Sequence, residues 1–163
     1  MSLRKLEIIA EPDKPTIVTH RTVDAPRDLV FEVMMDPKHI KHWMGPAALE
    51  MVSGESDLRV GGKYRYVFRA PDGMEFAFSG IYKEIDRPTK AVRTYVFEPF
   101  PDAEAIETMT LDEKNGKTTI TTLTVHKNVQ NRDGHLADGR MEVGMTEGYA
   151  RMDKLLASLQ QHA

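Results

Sequence analysis

The chain contains no cysteine, and that absence removes disulfide staples, thiolate nucleophiles and cysteine-ligated zinc or iron–sulfur sites. It has no apolar run approaching the roughly 18 residues of a membrane span. Met1-Ser2-Leu3-Arg4-Lys5-Leu6 also lacks the apolar stretch of about 7 to 15 residues that a signal peptide needs. A cytoplasmic chain is therefore expected, and Met1-Ser2-Leu3 are expected to add nothing to the fold. There is no excess of one charge: 22 Lys and Arg stand against 25 Asp and Glu, interspersed, for a net charge of -3. Without a basic stripe to neutralise phosphates, nucleic acid is not an expected partner. No Ser-His-Asp motif, Gly-rich phosphate loop or paired His-Glu helix signature occurs. Neither catalytic residues nor a cofactor can be named on that basis.

What is present suffices for one core. At 163 residues and 40% hydrophobic composition, the expectation is a polar lead-in over residues 1–15 and a single domain over residues 16–162. Thr16 to Asp24 is rich in β-branched residues and reads as a strand. The period then changes. Asp24-Ala25-Pro26 starts a helix in which Leu29, Val30, Val33 and Met34 recur at helical spacing until Asp36-Pro37 stops it. A second short helix is expected from Lys38 to Trp43, closed by Gly45-Pro46.

From Ala47 to His126 the pattern is that of about six strands, the shortest at Leu49 to Val52. Tyr64, Tyr66 and Phe68 alternate with Lys63, Arg65 and Arg69, placing aromatics on one face. Pro71-Asp72-Gly73 and Asn115-Gly116 are turns, and Gly80 inside a strand predicts a bulge or bend. Asn128 to Gly139 reads as a polar connection. From Arg140 to Gln161, Met141, Met145, Tyr149, Met152, Leu155, Leu156 and Leu159 form one stripe of a helix, about 30 Å long at 1.5 Å per residue. The order predicts an α+β fold, with a seven-stranded curved antiparallel sheet wrapped around that C-terminal helix and two short helices after the first strand.

Several motifs in this order resemble the helix-grip superfamily, which holds START domains, the birch-pollen allergen and bacterial polyketide cyclases. The likeness is to the branch of the C-terminal domain of the activator of Hsp90 ATPase. It is carried by Ala25-Pro26 with Phe31, Trp43 with Gly45-Pro46, Asp57 through Tyr64, Asp72-Gly73, Gly80 through Ile85, and Glu147-Gly148-Tyr149 ahead of Leu155 and Leu159. Many relatives carry Gly-Trp where this chain has Gly148-Tyr149. The resemblance implies an internal cavity that binds a small apolar or amphipathic molecule. It also raises a cyclase-like or hydrolase-like activity in that cavity, or an Hsp90-interacting module. The co-chaperone that gives the branch its name carries a separate N-terminal domain for which this chain has no length. A homodimer stays open.

Three sets of residues are candidates. The first is a pocket wall of Phe31, Met34, Trp43, Tyr64, Tyr66, Phe68, Phe76, Phe78, Tyr95, Met109, Met141, Met145, Tyr149 and Met152. Ten methionines suit an adaptable apolar surface, and inward tyrosines need the polar partners that an occupied or hydrated cavity supplies. Any one of them also serves as plain core. The second is His39 and His42 beside Asp36, whose spacing fits a metal site or, more simply, a solvated face. His20, His126 and His135 have no visible partner. The third set, Arg65, Arg93 and Glu107, reaches the inner wall only if the strand registers differ from those assigned here, since a one-residue slip swaps faces.

Overall fold

Eight strands, not the expected seven, form one antiparallel sheet in the computed structural model, which describes residues 5–161. Met1-Ser2-Leu3 lie outside the described residues. The elements are β1 (Glu7–Ile9), β2 (Thr16–Val23), α1 (Arg27–Met35), α2 (Pro37–Ile40), β3 (Glu50–Ser56), β4 (Lys63–Arg69), β5 (Glu75–Asp86), β6 (Lys90–Phe97), β7 (Ala105–Lys114), β8 (Lys117–Val125), α3 (Val129–Leu136) and α4 (Arg140–Gln161). The additional strand is β1, inside the expected lead-in. It spans three residues, too few for a periodic signal, and forms only because the edge of β2 offers Val18, Thr19 and His20 as partners.

The sheet order is β1-β2-β8-β7-β6-β5-β4-β3. From β3 onward each strand pairs with its sequence neighbour, as short turns allow, while β2 pairs with β8. Helices α1 and α2 therefore carry the chain from β2, near one edge, to β3 at the other. The six strands expected between Ala47 and His126 are β3 to β8. Two boundaries differ: β3 continues to Ser56, and α2 ends at Ile40, with the chain turning through to Trp43.

Asn128 to Gly139 is not merely a connection. It contains α3, capped by the Asn128 side chain accepting from the Asn131 N–H, and a turn of 3-10 helix. No apolar stripe announces this helix. It is held by Arg132, 3% exposed, whose guanidinium donates to the backbone carbonyls of Glu11 at 2.8 Å and Thr16 at 3.2 Å.

One sheet face carries the core. Tyr64, Tyr66 and Phe68 of β4 point inward, with Ile120 of β8 and Val23 of β2, while α4 contributes Tyr149, Met152 and Leu156, all buried. Burying each such side chain contributes roughly 1.5–3 kcal/mol. Two glycines permit close approaches that this geometry requires. A Cβ at Gly80 would lie 2.0 Å from the Thr94 carbonyl oxygen, and one at Gly148 would lie 2.8 Å from that of Trp43. The register slips between Tyr82 and Glu84 rather than at Gly80 itself, which adds local twist.

Candidate functional site

The strand register brings three long polar side chains onto the sheet face that carries the core. Arg93 of β6 stands opposite Tyr82 of β5 on one side and Glu107 of β7 on the other. No register shift is needed, because Arg93 alternates with Thr94 and so shares the face of Tyr95. Of the three charged residues set aside as conditional, Arg93 and Glu107 face inward. Arg65 faces outward and pairs with Glu98 at 2.9 Å.

Arg93 Nε donates to Glu107 Oε1 at 2.8 Å, with the two side chains 11% and 21% exposed. The guanidinium carbon lies 4.4 Å from the Tyr64 ring centroid and 5.9 Å from that of Tyr66. Burial disfavours the guanidinium charge, but the Glu107 carboxylate together with Tyr64, Tyr66 and Tyr82 outweighs it and raises the Arg93 pKa. Burial pushes the phenols of Tyr64, Tyr66, Tyr95 and Tyr149 up, so at neutral pH all four stay protonated. Tyr64 donates to the Thr94 carbonyl at 2.6 Å, and the Tyr82 hydroxyl meets Ser56 Oγ at 2.6 Å. The Glu107 carboxylate acts electrostatically on Tyr64, Tyr95, Tyr149 and His135, which places it centrally among them.

A row of rings leads outward from this pair. Phe78 contacts Phe68 at 5.8 Å, Tyr95 at 5.7 Å and Phe97 at 5.0 Å, and Phe97 contacts Phe100 at 5.8 Å. Tyr95 also stacks on His135 of α3 at 5.7 Å. His126 and His135, which the sequence leaves isolated, are partners: Nε2 of His126 and Nδ1 of His135 are 3.0 Å apart. Burial, aided by the neighbouring His135 and Arg132, lowers the His126 pKa to about 4.

On the α4 side, Tyr149 stacks on Trp43 at 6.2 Å, and Arg21 sits 5.6 Å from the Tyr149 ring centroid. Arg21 is itself paired with Asp153 at 2.7 Å. Trp43 Nε1 donates to the Val33 carbonyl at 2.9 Å. The segment after Trp43 is fastened to α4, since Glu147 accepts from the Ala47 N–H at 2.9 Å and Arg151 donates to the Gly45 carbonyl.

The expected wall residues divide into two groups. Phe31, Trp43, Tyr64, Tyr66, Phe68, Met109, Tyr149 and Met152 are closed into packing. Phe78, Tyr95, Met141 and Met145 keep partial exposure, as do Met34 and Phe76. Phe76 lies at the sheet end, where it helps line an open depression of about 300 Å³ with Arg65, Val67, Glu75, Ala77, Glu98 and Pro99. His39 lies 3.6 Å from Glu32, His42 is exposed and His20 meets Thr121 Oγ1 at 3.0 Å. Among the described residues no three His, Asp or Glu converge as a metal site would require. Sequence reading passed over Arg21–Asp153 and undervalued Arg93–Glu107. The available signal was a charged residue alternating in phase with inward aromatics or β-branched residues.

The model of the activator of Hsp90 ATPase homolog 1-like protein family matches residues 24–157. A crystal structure of a protein from Rhodobacter sphaeroides superposes with a TM-score of 0.87 at 19% identity, covering 94% of this chain and 99% of that one. Proteins from Mycobacterium smegmatis (TM-score 0.81, 23% identity, 93% and 97% covered) and Nitrosomonas europaea (0.81, 22%, 94% and 99%) share the fold. No curated protein matches the chain. Among the described residues no helix is long and apolar enough to cross a membrane.

Proposed function

Because this chain belongs to the activator of Hsp90 ATPase homolog 1-like family, we propose that it is a binding module, holding a small apolar or amphipathic molecule between the concave sheet face and α4. One observation carries the reading. Phe78, Tyr95, Glu107 and Met145 retain accessible surface on an inward face whose deeper neighbours Tyr64, Tyr66 and Met109 are closed. Tyr95 feels both charges of the Arg93–Glu107 pair, and a dry core would have little reason to keep such a pair. In this reading the segment Trp43-Gly45-Pro46 lies near the mouth of the recess, which fits the approach of Gly45 to Phe68 and of Pro46 to Gly144 of α4.

A second reading, an enzyme in the same recess, is favoured by Glu107 lying among protonated phenols, a setting suited to proton transfer. A chaperone-docking role has less support, because Arg65–Glu98 and Arg69–Glu75 ion pairs occupy the outer sheet face where an apolar patch would be wanted. Native mass spectrometry of the purified protein with a hydrophobic dye-displacement screen tests the proposal. A co-purified or competable ligand is expected; neither, across a broad panel, overturns it. Chemical change in a bound ligand would move the assignment to the enzyme.

A further inference from the structure

Resting on the binding reading above, we infer that the occupant offers Glu107 and Arg93 an uncharged hydroxyl, of an alcohol or a phenol, on an otherwise apolar body. Glu107 accepts one hydrogen bond, at Oε1 from Arg93 Nε, and among the described residues no protein donor reaches Oε2. The Glu107 side chain keeps 21% of its surface, so an acceptor stays accessible. Beside it, Arg93 has spent Nε on Glu107, and its Nη1 makes only a long 3.4 Å contact with the Tyr66 hydroxyl. The guanidinium thus retains N–H groups to give. Acceptor and donor lie side by side, and a hydroxyl answers both because it donates one hydrogen and accepts through its lone pairs.

The charge balance argues against an ionised group. Glu107 and Arg93 neutralise each other, the surrounding phenols stay protonated, and His126 resists protonation down to about pH 4. A carboxylate or ammonium entering here would be a buried charge without a counter-charge, the arrangement proteins avoid most strongly. The remaining wall is apolar and flat-sided. Phe78 lies 5.0 Å from Phe97 and 5.7 Å from Tyr95, both of β6, and a cluster of rings suits a planar apolar body. Phe100, 64% exposed, continues this row to the surface.

The test is a matched series on the intact protein: naphthalene, 2-naphthol, 2-naphthoate and 2-naphthylmethylammonium, each titrated by dye displacement at pH 7. 2-Naphthol should bind about tenfold or more tighter than the other three, the effect of one added hydrogen bond to a charged group. In the Arg93→Met/Glu107→Leu double variant, naphthol and naphthalene should bind within about threefold of each other. Equal binding of naphthol and naphthalene by the natural protein overturns the hydroxyl assignment and leaves the binding reading standing. Tighter binding of either charged probe does the same, as does a preference that survives the double substitution. If no member binds, this inference falls, while the binding reading is decided separately by the broad panel and native mass spectrometry. The natural-protein series decides the matter even if the variant fails to fold.

Discussion

Replacing Arg93 with Met removes the cation from the inner sheet face and leaves the Glu107 carboxylate without its partner. Breaking one side of a buried pair typically costs about 3–5 kcal/mol. The Glu107 side chain is 21% exposed, so some water reaches it and the lower end, about 3 kcal/mol, is expected. That corresponds to a fall in melting temperature on the order of 10 °C for a chain of this size. Changing both residues, Arg93→Met with Glu107→Leu, should bring stability back to within about 1 kcal/mol of the natural protein, because apolar side chains of similar volume carry no desolvation cost. Urea unfolding of the four proteins, read by midpoint and slope, closes the cycle and should give a coupling of about 2 kcal/mol or more. A single substitution costing under about 1 kcal/mol, or a double variant as unstable as the summed singles, would refute the assignment of a buried, mutually dependent pair.

Other outcomes follow from the same geometry. Tyr149→Leu removes the ring stacked between Trp43 and Arg21; it should change ligand selectivity by dye displacement while circular dichroism stays native, and unchanged affinities across a panel would remove Tyr149 from the site. The His126 pKa is lowered on folding from 6.5 to about 4, so its contribution is fully present above about pH 6.5 and is lost as pH falls toward 4. Below pH 6.5 the unfolded chain binds a proton that the folded ring resists; the loss should be on the order of 2 kcal/mol after allowing for solvent screening. Urea midpoints across that range should fall for the natural protein and flatten for His126→Leu. Arg132→Met should release α3, with hydrogen exchange of residues 129–136 accelerating, because the carbonyls of Glu11 and Thr16 lose their donor. Gly80→Ala should cost about 3 kcal/mol or more by thermal unfolding, since its Cβ would meet a backbone oxygen at 2.0 Å.

The long helix was legible, because seven apolar side chains at steps of three, four and seven admit only one period over Arg140–Gln161. The inward face of β4 was equally plain from Tyr64, Tyr66 and Phe68. By contrast, β1 and α3 carry no period of their own. One exists through the hydrogen bonds of its neighbour β2 and the other through a single buried arginine, so neither could be read locally.

The candidate site divides along the same line. Residue order alone determined the alternation along a strand such as β4, and with it the shared face of Tyr64, Tyr66 and Phe68. Tertiary structure alone decided that Arg93 meets Glu107, that Arg21 meets Asp153 and that His126 meets His135. Those meetings depend on register between strands and on where helices land, which are set by packing between segments far apart in the chain. A period repeats and can be seen in one segment, whereas a contact belongs to two and exists only once both are placed.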